Sequence, residues 1–86
     1  MMSRELTYEE LASLMKSCTG ITMDPQRLRD DPQAPLADIG LDSLGLLAIV
    51  SELEKRHGVQ IDSGPEACKT PGDFVAAVNE SLTVGA

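Results

Sequence analysis

Apolar positions recur at helical spacing in three stretches of the chain, and no stretch shows a sustained strand alternation. In the first, Tyr8, Leu11, Leu14, Met15 and Cys18 share one face. Leu6-Thr7-Tyr8-Glu9-Glu10-Leu11 reads as its start. Thr7 caps, Glu10 completes a capping box, and Leu6 staples onto Leu11. Gly20 supplies a left-handed stop, so the spacing predicts a helix over about 7–19. In the second stretch Leu46, Ile49, Val50, Leu53 and His57 form a stripe that Leu47 widens. Glu52, Glu54, Lys55 and Arg56 lie mainly off it. This predicts a helix from Ser43 to His57, closed by Gly58. In the third, Thr70 caps, Pro71 takes the first helical position and Asp73 meets the helix dipole. Phe74, Val75, Val78 and Leu82 follow at helical spacing.

Between these stretches the pattern weakens. Ile21 to Leu41 is a long connection carrying Pro25, Pro32 and Pro35. A structureless loop of that length inside a compact domain argues against the assignment or marks function. Asp24-Pro25 can open a single helical turn toward Leu28. Met23, Leu28, Leu36 and Ile39 are spaced to pin the loop onto the core. Val59-Gln60-Ile61 reads as an extended connector that tucks Val59 and Ile61 inward, and 62–68 as one short helical turn with Pro65 early in it. The expected fold is all-α: a four-helix bundle of three main helices and one short one, with a long first loop. It forms a single domain over 1–86, ordered over about 6–83.

Composition narrows the function. A chain of 86 residues has room for one core. Tyr8 and Phe74 are its aromatics, so the core is aliphatic and an aromatic-walled pocket is not expected. Fourteen acidic against seven basic residues give a formal charge of −7. Such a surface disfavours nucleic acid and anionic lipid, and it suits basic patches on protein partners. No apolar run is long enough to span a bilayer. Residues 1–5 show no secretory apolar core, so a cytoplasmic monomer is expected, with Cys18 and Cys68 reduced.

Enzyme chemistry is poorly supplied. Ser43 and His57 sit on one predicted helix, separated along its axis by about 21 Å, beyond the reach of a catalytic pair. His57 is the only histidine, so no other can serve; it reads as a packing or helix-end residue. One histidine and two distant cysteines give no recurring metal-ligand spacing, and no metal site is expected. Gly40 and Gly45 match neither standard phosphate-loop spacing.

The chemistry that remains lies in Asp38-Ile39-Gly40-Leu41-Asp42-Ser43-Leu44-Gly45-Leu46-Leu47. An aliphatic segment turns at Gly40, and Asp42-Ser43 opens the long helix. Helix N-termini leave backbone N–H groups unpaired and carry partial positive charge. Asp42 is a good N-cap, which leaves the Ser43 hydroxyl in the first turn, well sited to carry a phosphate ester. Asp-Ser as a cap and nothing more is the competing reading.

Gly40-Leu41-Asp42-Ser43-Leu44 resembles the Gly-x-Asp-Ser-Leu motif of acyl carrier proteins. The resemblance implies that Ser43 bears a 4′-phosphopantetheine arm added by a phosphopantetheinyl transferase, with Asp42 beside it. The carrier itself is then not an enzyme. Partner contacts are expected from Asp38, Glu52, Asp62 and Glu66, with Leu44, Leu46 and Ala48 as apolar surface near the serine. Fatty-acid carriers usually bear more acid along this helix, whereas Gly45 and Ala48 stand here. Leu6-Thr7, Cys18-Thr19-Gly20, Leu53-Glu54-Lys55-Arg56-His57-Gly58-Val59, Thr70-Pro71 and Val78-Asn79 with Leu82 look more like the stand-alone carriers of bacterial aromatic (type II) polyketide synthases, of the spore-pigment kind. That likeness implies a cargo of malonyl units and a growing polyketide chain. The implied partners are a ketosynthase with its chain-length factor, a malonyl transferase, and a tailoring ketoreductase, cyclase or aromatase. A carrier of fatty-acyl or aminoacyl groups, and an unmodified acidic helical interaction module, remain the alternatives.

Overall fold

The computed structural model describes residues 5–58, 60–61 and 64–84, with side chains through Leu82. Among the described residues the chain forms four α-helices and no strand: α1 Tyr8–Thr19, α2 Pro25–Asp30, α3 Ser43–His57 and α4 Pro71–Val84. Two short 3-10 turns, Leu36–Ile39 and Pro65–Ala67, precede α3 and α4.

Local chemistry sets the helix ends. The Thr7 hydroxyl accepts the Glu10 N–H at 3.1 Å to open α1. Gly20, at φ 77°, closes it in the left-handed region that only glycine adopts freely. Asp42 opens α3, and Gly58 at φ 65° returns its N–H to the Glu54 carbonyl at 2.9 Å. The Thr70 hydroxyl accepts the Asp73 N–H at 3.1 Å, with Pro71 at the first position of α4.

The core is aliphatic around one ring. Leu11, Leu14 and Met15 of α1 meet Leu46, Ile49 and Leu53 of α3, and Phe74, Val78 and Leu82 of α4 close over them. Asn79 fastens the start of the chain: its side-chain oxygen accepts the Leu6 N–H, and its amide donates to the Leu6 carbonyl at 3.2 Å. At the far end of α3, the half-buried His57 places Nε2 3.6 Å from a Glu10 carboxylate oxygen, which also faces Arg56 at 3.8 Å.

The long connection is more ordered than its sequence suggests. The turn expected after Asp24 extends to six residues, capped by the Asp24 carboxylate on the Gln26 N–H at 2.9 Å. The 3-10 turn at Leu36–Ile39 was not anticipated. Tertiary bonds account for it. The Leu36 N–H donates to the Lys69 carbonyl, and the Gly72 N–H to the Pro32 carbonyl, each at 2.8 Å. Both lash the loop to the start of α4. A Cβ on Gly72 would sit 3.0 Å from the Pro32 oxygen, so the lashing needs glycine. Leu28 and Leu36 are buried, and Met23 and Ile39 pack against the core, as their spacing suggests. The short helix expected over 62–68 is a 3-10 turn at Pro65–Ala67. Ile61 is buried as expected; the inward turn of Val59 lies outside the described residues.

Candidate functional site

The site forms where the first loop hands over to α3. Gly40 takes φ 83° and ends the 3-10 turn, and the Leu41 N–H reaches back to the Leu36 carbonyl at 3.1 Å. Leu41 is buried, which fixes where the next residue emerges. Asp42 stays in extended geometry, and its carboxylate accepts the Gly45 N–H at 2.9 Å. Ser43 is the first residue of α3 and is exposed. With Asp42 as the cap, the Ser43 hydroxyl has no structural task. It stands in the positive end of a fifteen-residue helix, where an anion is favoured.

Ser43 also borders a groove of about 420 Å³. Leu36 and Leu41 line it from the loop side, Leu46 from α3, and Cys68 and Lys69 from the segment before α4. The lining is mainly apolar. Glu66 stands at its edge and accepts the Gly64 N–H at 3.0 and 3.2 Å, and that bond holds its carboxyl below the usual glutamate range. Burial pushes the Cys68 thiol up, and the Asp73 and Glu66 charges add to the effect. The thiol is therefore neutral near pH 7 and no nucleophile. An exposed hydroxyl in a positive field, opening onto an apolar groove, fits a phosphodiester-linked arm that carries an acyl group. Ser43 and His57 occupy opposite ends of α3, which leaves no hydrolytic pair.

The expected contact residues divide. Asp38, Leu44 and Ala48 are exposed, with Leu44 at 75%. Glu52 is half-buried and faces Arg56 at 3.7 Å on the same helix. Glu66 is half-buried and held by Gly64. Asp62 lies outside the described residues. Leu46 is a correction: it is only 2% exposed, a core residue that reaches the groove wall but not the outward face of α3. Leu47 was read as widening the core stripe, yet it is 51% exposed. It lies one step round the helix from Leu46, on the side of Leu44 three residues earlier. The Leu44–Leu47 spacing was the signal for this second, outward stripe.

Gly45, in the first turn of α3, is half-buried. A Cβ there would meet Leu41 at 2.7 Å and Thr19 at 3.2 Å. Its small size admits the end of α1 and the Leu41 side chain against the first turn of α3.

Comparison with known proteins gives the family. The family described as "Phosphopantetheine attachment site" matches residues 9–78. A probable acyl carrier protein of Streptomyces coelicolor is 49% identical, over 94% of this chain and 90% of its own length. The curamycin polyketide synthase acyl carrier protein of Streptomyces cyaneus is 46% identical, over 95% and 93%. Among solved structures, the acyl carrier protein of the actinorhodin polyketide synthase of Streptomyces coelicolor, bearing a 3,5-dioxohexyl triketide mimic, superposes with a TM-score of 0.78 at 30% identity. That match covers 99% of this chain and 100% of the other. With its helices, its exposed serine and these relatives in agreement, the chain belongs to the acyl carrier proteins, the family that carries acyl groups on 4′-phosphopantetheine.

Proposed function

We propose that Ser43 is the attachment point of the phosphopantetheine arm, and that the chain carries malonyl units and a lengthening polyketide chain for a type II polyketide synthase. The observation that carries this reading is the exposed Ser43 hydroxyl, uncommitted because Asp42 does the capping, at the lip of an apolar groove. When bound, the arm supplies a terminal thiol that holds acyl groups as thioesters. The protein's own groups bind, orient and address; none of them performs a chemical step. Asp42 fixes the first turn, so the Ser43 oxygen is presented to a phosphopantetheinyl transferase in one orientation. Leu36, Leu41 and Leu46 offer the acyl chain an apolar wall.

Leu44, Leu47 and Ala48 form the apolar part of the docking face, and Asp38, Asp62 and Glu66 supply acidic contacts to partners. Glu52 stands further along α3. The net charge of −7 steers this face toward basic patches on a ketosynthase and its chain-length factor, a malonyl transferase, and tailoring ketoreductases, cyclases or aromatases. Covalent tethering raises the effective concentration of the cargo, so small and short-lived contacts suffice. The carrier works as a monomer in the cytoplasm, where coenzyme A is available. Similarity to polyketide synthase carriers supports the cargo assignment over a fatty-acyl or aminoacyl one.

The test is to load the arm in parallel with malonyl, long-chain acyl and aminoacyl groups and offer each form to a type II ketosynthase with its chain-length factor. The malonyl form is expected to be elongated. Elongation only by fatty-acid enzymes, or preferential aminoacyl loading, contradicts the assignment.

A further inference from the structure

The groove beside Ser43 is bordered by two carboxylates and one ammonium. Asp42 is engaged with the Gly45 N–H and Glu66 with the Gly64 N–H. Lys69 borders the same groove. Its backbone is fixed, because its carbonyl accepts the Leu36 N–H at 2.8 Å. Its residue is exposed, and among the described residues its ammonium has no ion pair. A fixed backbone carrying an uncommitted cation at the edge of an apolar groove serves no evident packing purpose.

A phosphodiester on the Ser43 oxygen adds a full negative charge next to Asp42, in a chain that already carries −7. The helix end offsets part of that charge. We propose that Lys69 is the counter-cation of the Ser43 phosphodiester, and that it turns the root of the arm into the groove rather than out to solvent. The proposal rests on Ser43 being the attachment point. An ammonium on a four-carbon stem suits the task, since it reaches across a groove and pairs with phosphate as a point charge. Lys69 is thus a positioning residue: it touches the arm's phosphate, not the reacting thioester.

The experiment uses apo and arm-bearing forms of the full chain as wild type, Lys69→Gln and Lys69→Arg. Intact mass first shows that each arm-bearing sample holds one arm; failure at that step counts against Ser43 as the attachment point, not against Lys69. The 31P resonance of the phosphodiester and the melting temperature are then read at low and high salt. Lys69→Gln is expected to shift the resonance and to lower the melting temperature of the arm-bearing form by about 2 °C more than that of the apo form. Lys69→Arg restores both, and high salt removes the difference. An unchanged resonance together with equal melting shifts in the two forms overturns the proposal. Equal shifts would show that Lys69 acts on the scaffold alone.

Discussion

Asp42 and Ser43 are neighbours with separate tasks. Asp42 satisfies the Gly45 N–H, so removing its carboxylate should cost about 1 kcal/mol of stability, read by denaturant unfolding. Ser43→Ala should leave stability nearly unchanged, since its side chain is exposed and Asp42 still caps. A large loss in Ser43→Ala would show the hydroxyl to be structural. Glu66 carries a pH dependence. Its folded pKa lies below the usual glutamate value of 4.5 because it accepts the Gly64 N–H. Such a group stabilises the fold above that value, and the contribution is lost as pH falls through the lower, folded pKa. The melting temperature of wild type should therefore exceed that of Glu66→Gln near neutrality. The gap should close as pH falls below 4.5 and through the lower folded value. A gap that widens on acidification contradicts the assignment.

At the level of elements, the helix ends were legible because the signals at Thr7, Gly20, Asp42, Gly58 and Thr70 act within one turn. Each appears in the structure where the local pattern places it. What sequence reading missed depends on contacts between elements. Leu46 and Leu47 are both aliphatic on one helix, and only the approach of α1 and α4 decides which turns inward. Gly45 looks like a tolerated weak point in the first turn, and only Leu41 and Thr19 reveal it as a packing position. The 3-10 turn at Leu36–Ile39 has no side-chain cap and is held by the Lys69 carbonyl, which no local pattern announces. Gly45→Val tests the packing claim. It should destabilise the fold by about 1–3 kcal/mol through overpacking against Leu41 and Thr19, measured by chemical unfolding. Stability equal to wild type would show that α1 does not press on this turn.

The whole molecule is a small aliphatic bundle with an acidic coat. The Ser43 end of α3 collects the groove and the outward Leu44–Leu47 stripe. The opposite end of α3 is a packing contact between His57 and Glu10, reinforced by Arg56. Arg29 and Glu9 pair between α1 and α2, and the Arg29 bond holds the Glu9 carboxyl below its ordinary range. This exposed Arg29–Glu9 pair adds little to stability. The motif around Ser43 was legible as chemistry, whereas the groove beside it was not, because its walls come from two stretches distant in sequence, 35–46 and 66–69.

The account stands on the Ser43 oxygen being the point of attachment. Its most direct test is intact-mass measurement, with peptide mapping, after incubation of the chain with coenzyme A and a broad-specificity phosphopantetheinyl transferase. The expected result is a gain of one phosphopantetheine unit, located on Ser43 and absent from a folded Ser43→Ala variant. No gain in wild type, or a gain that persists in Ser43→Ala, would contradict it.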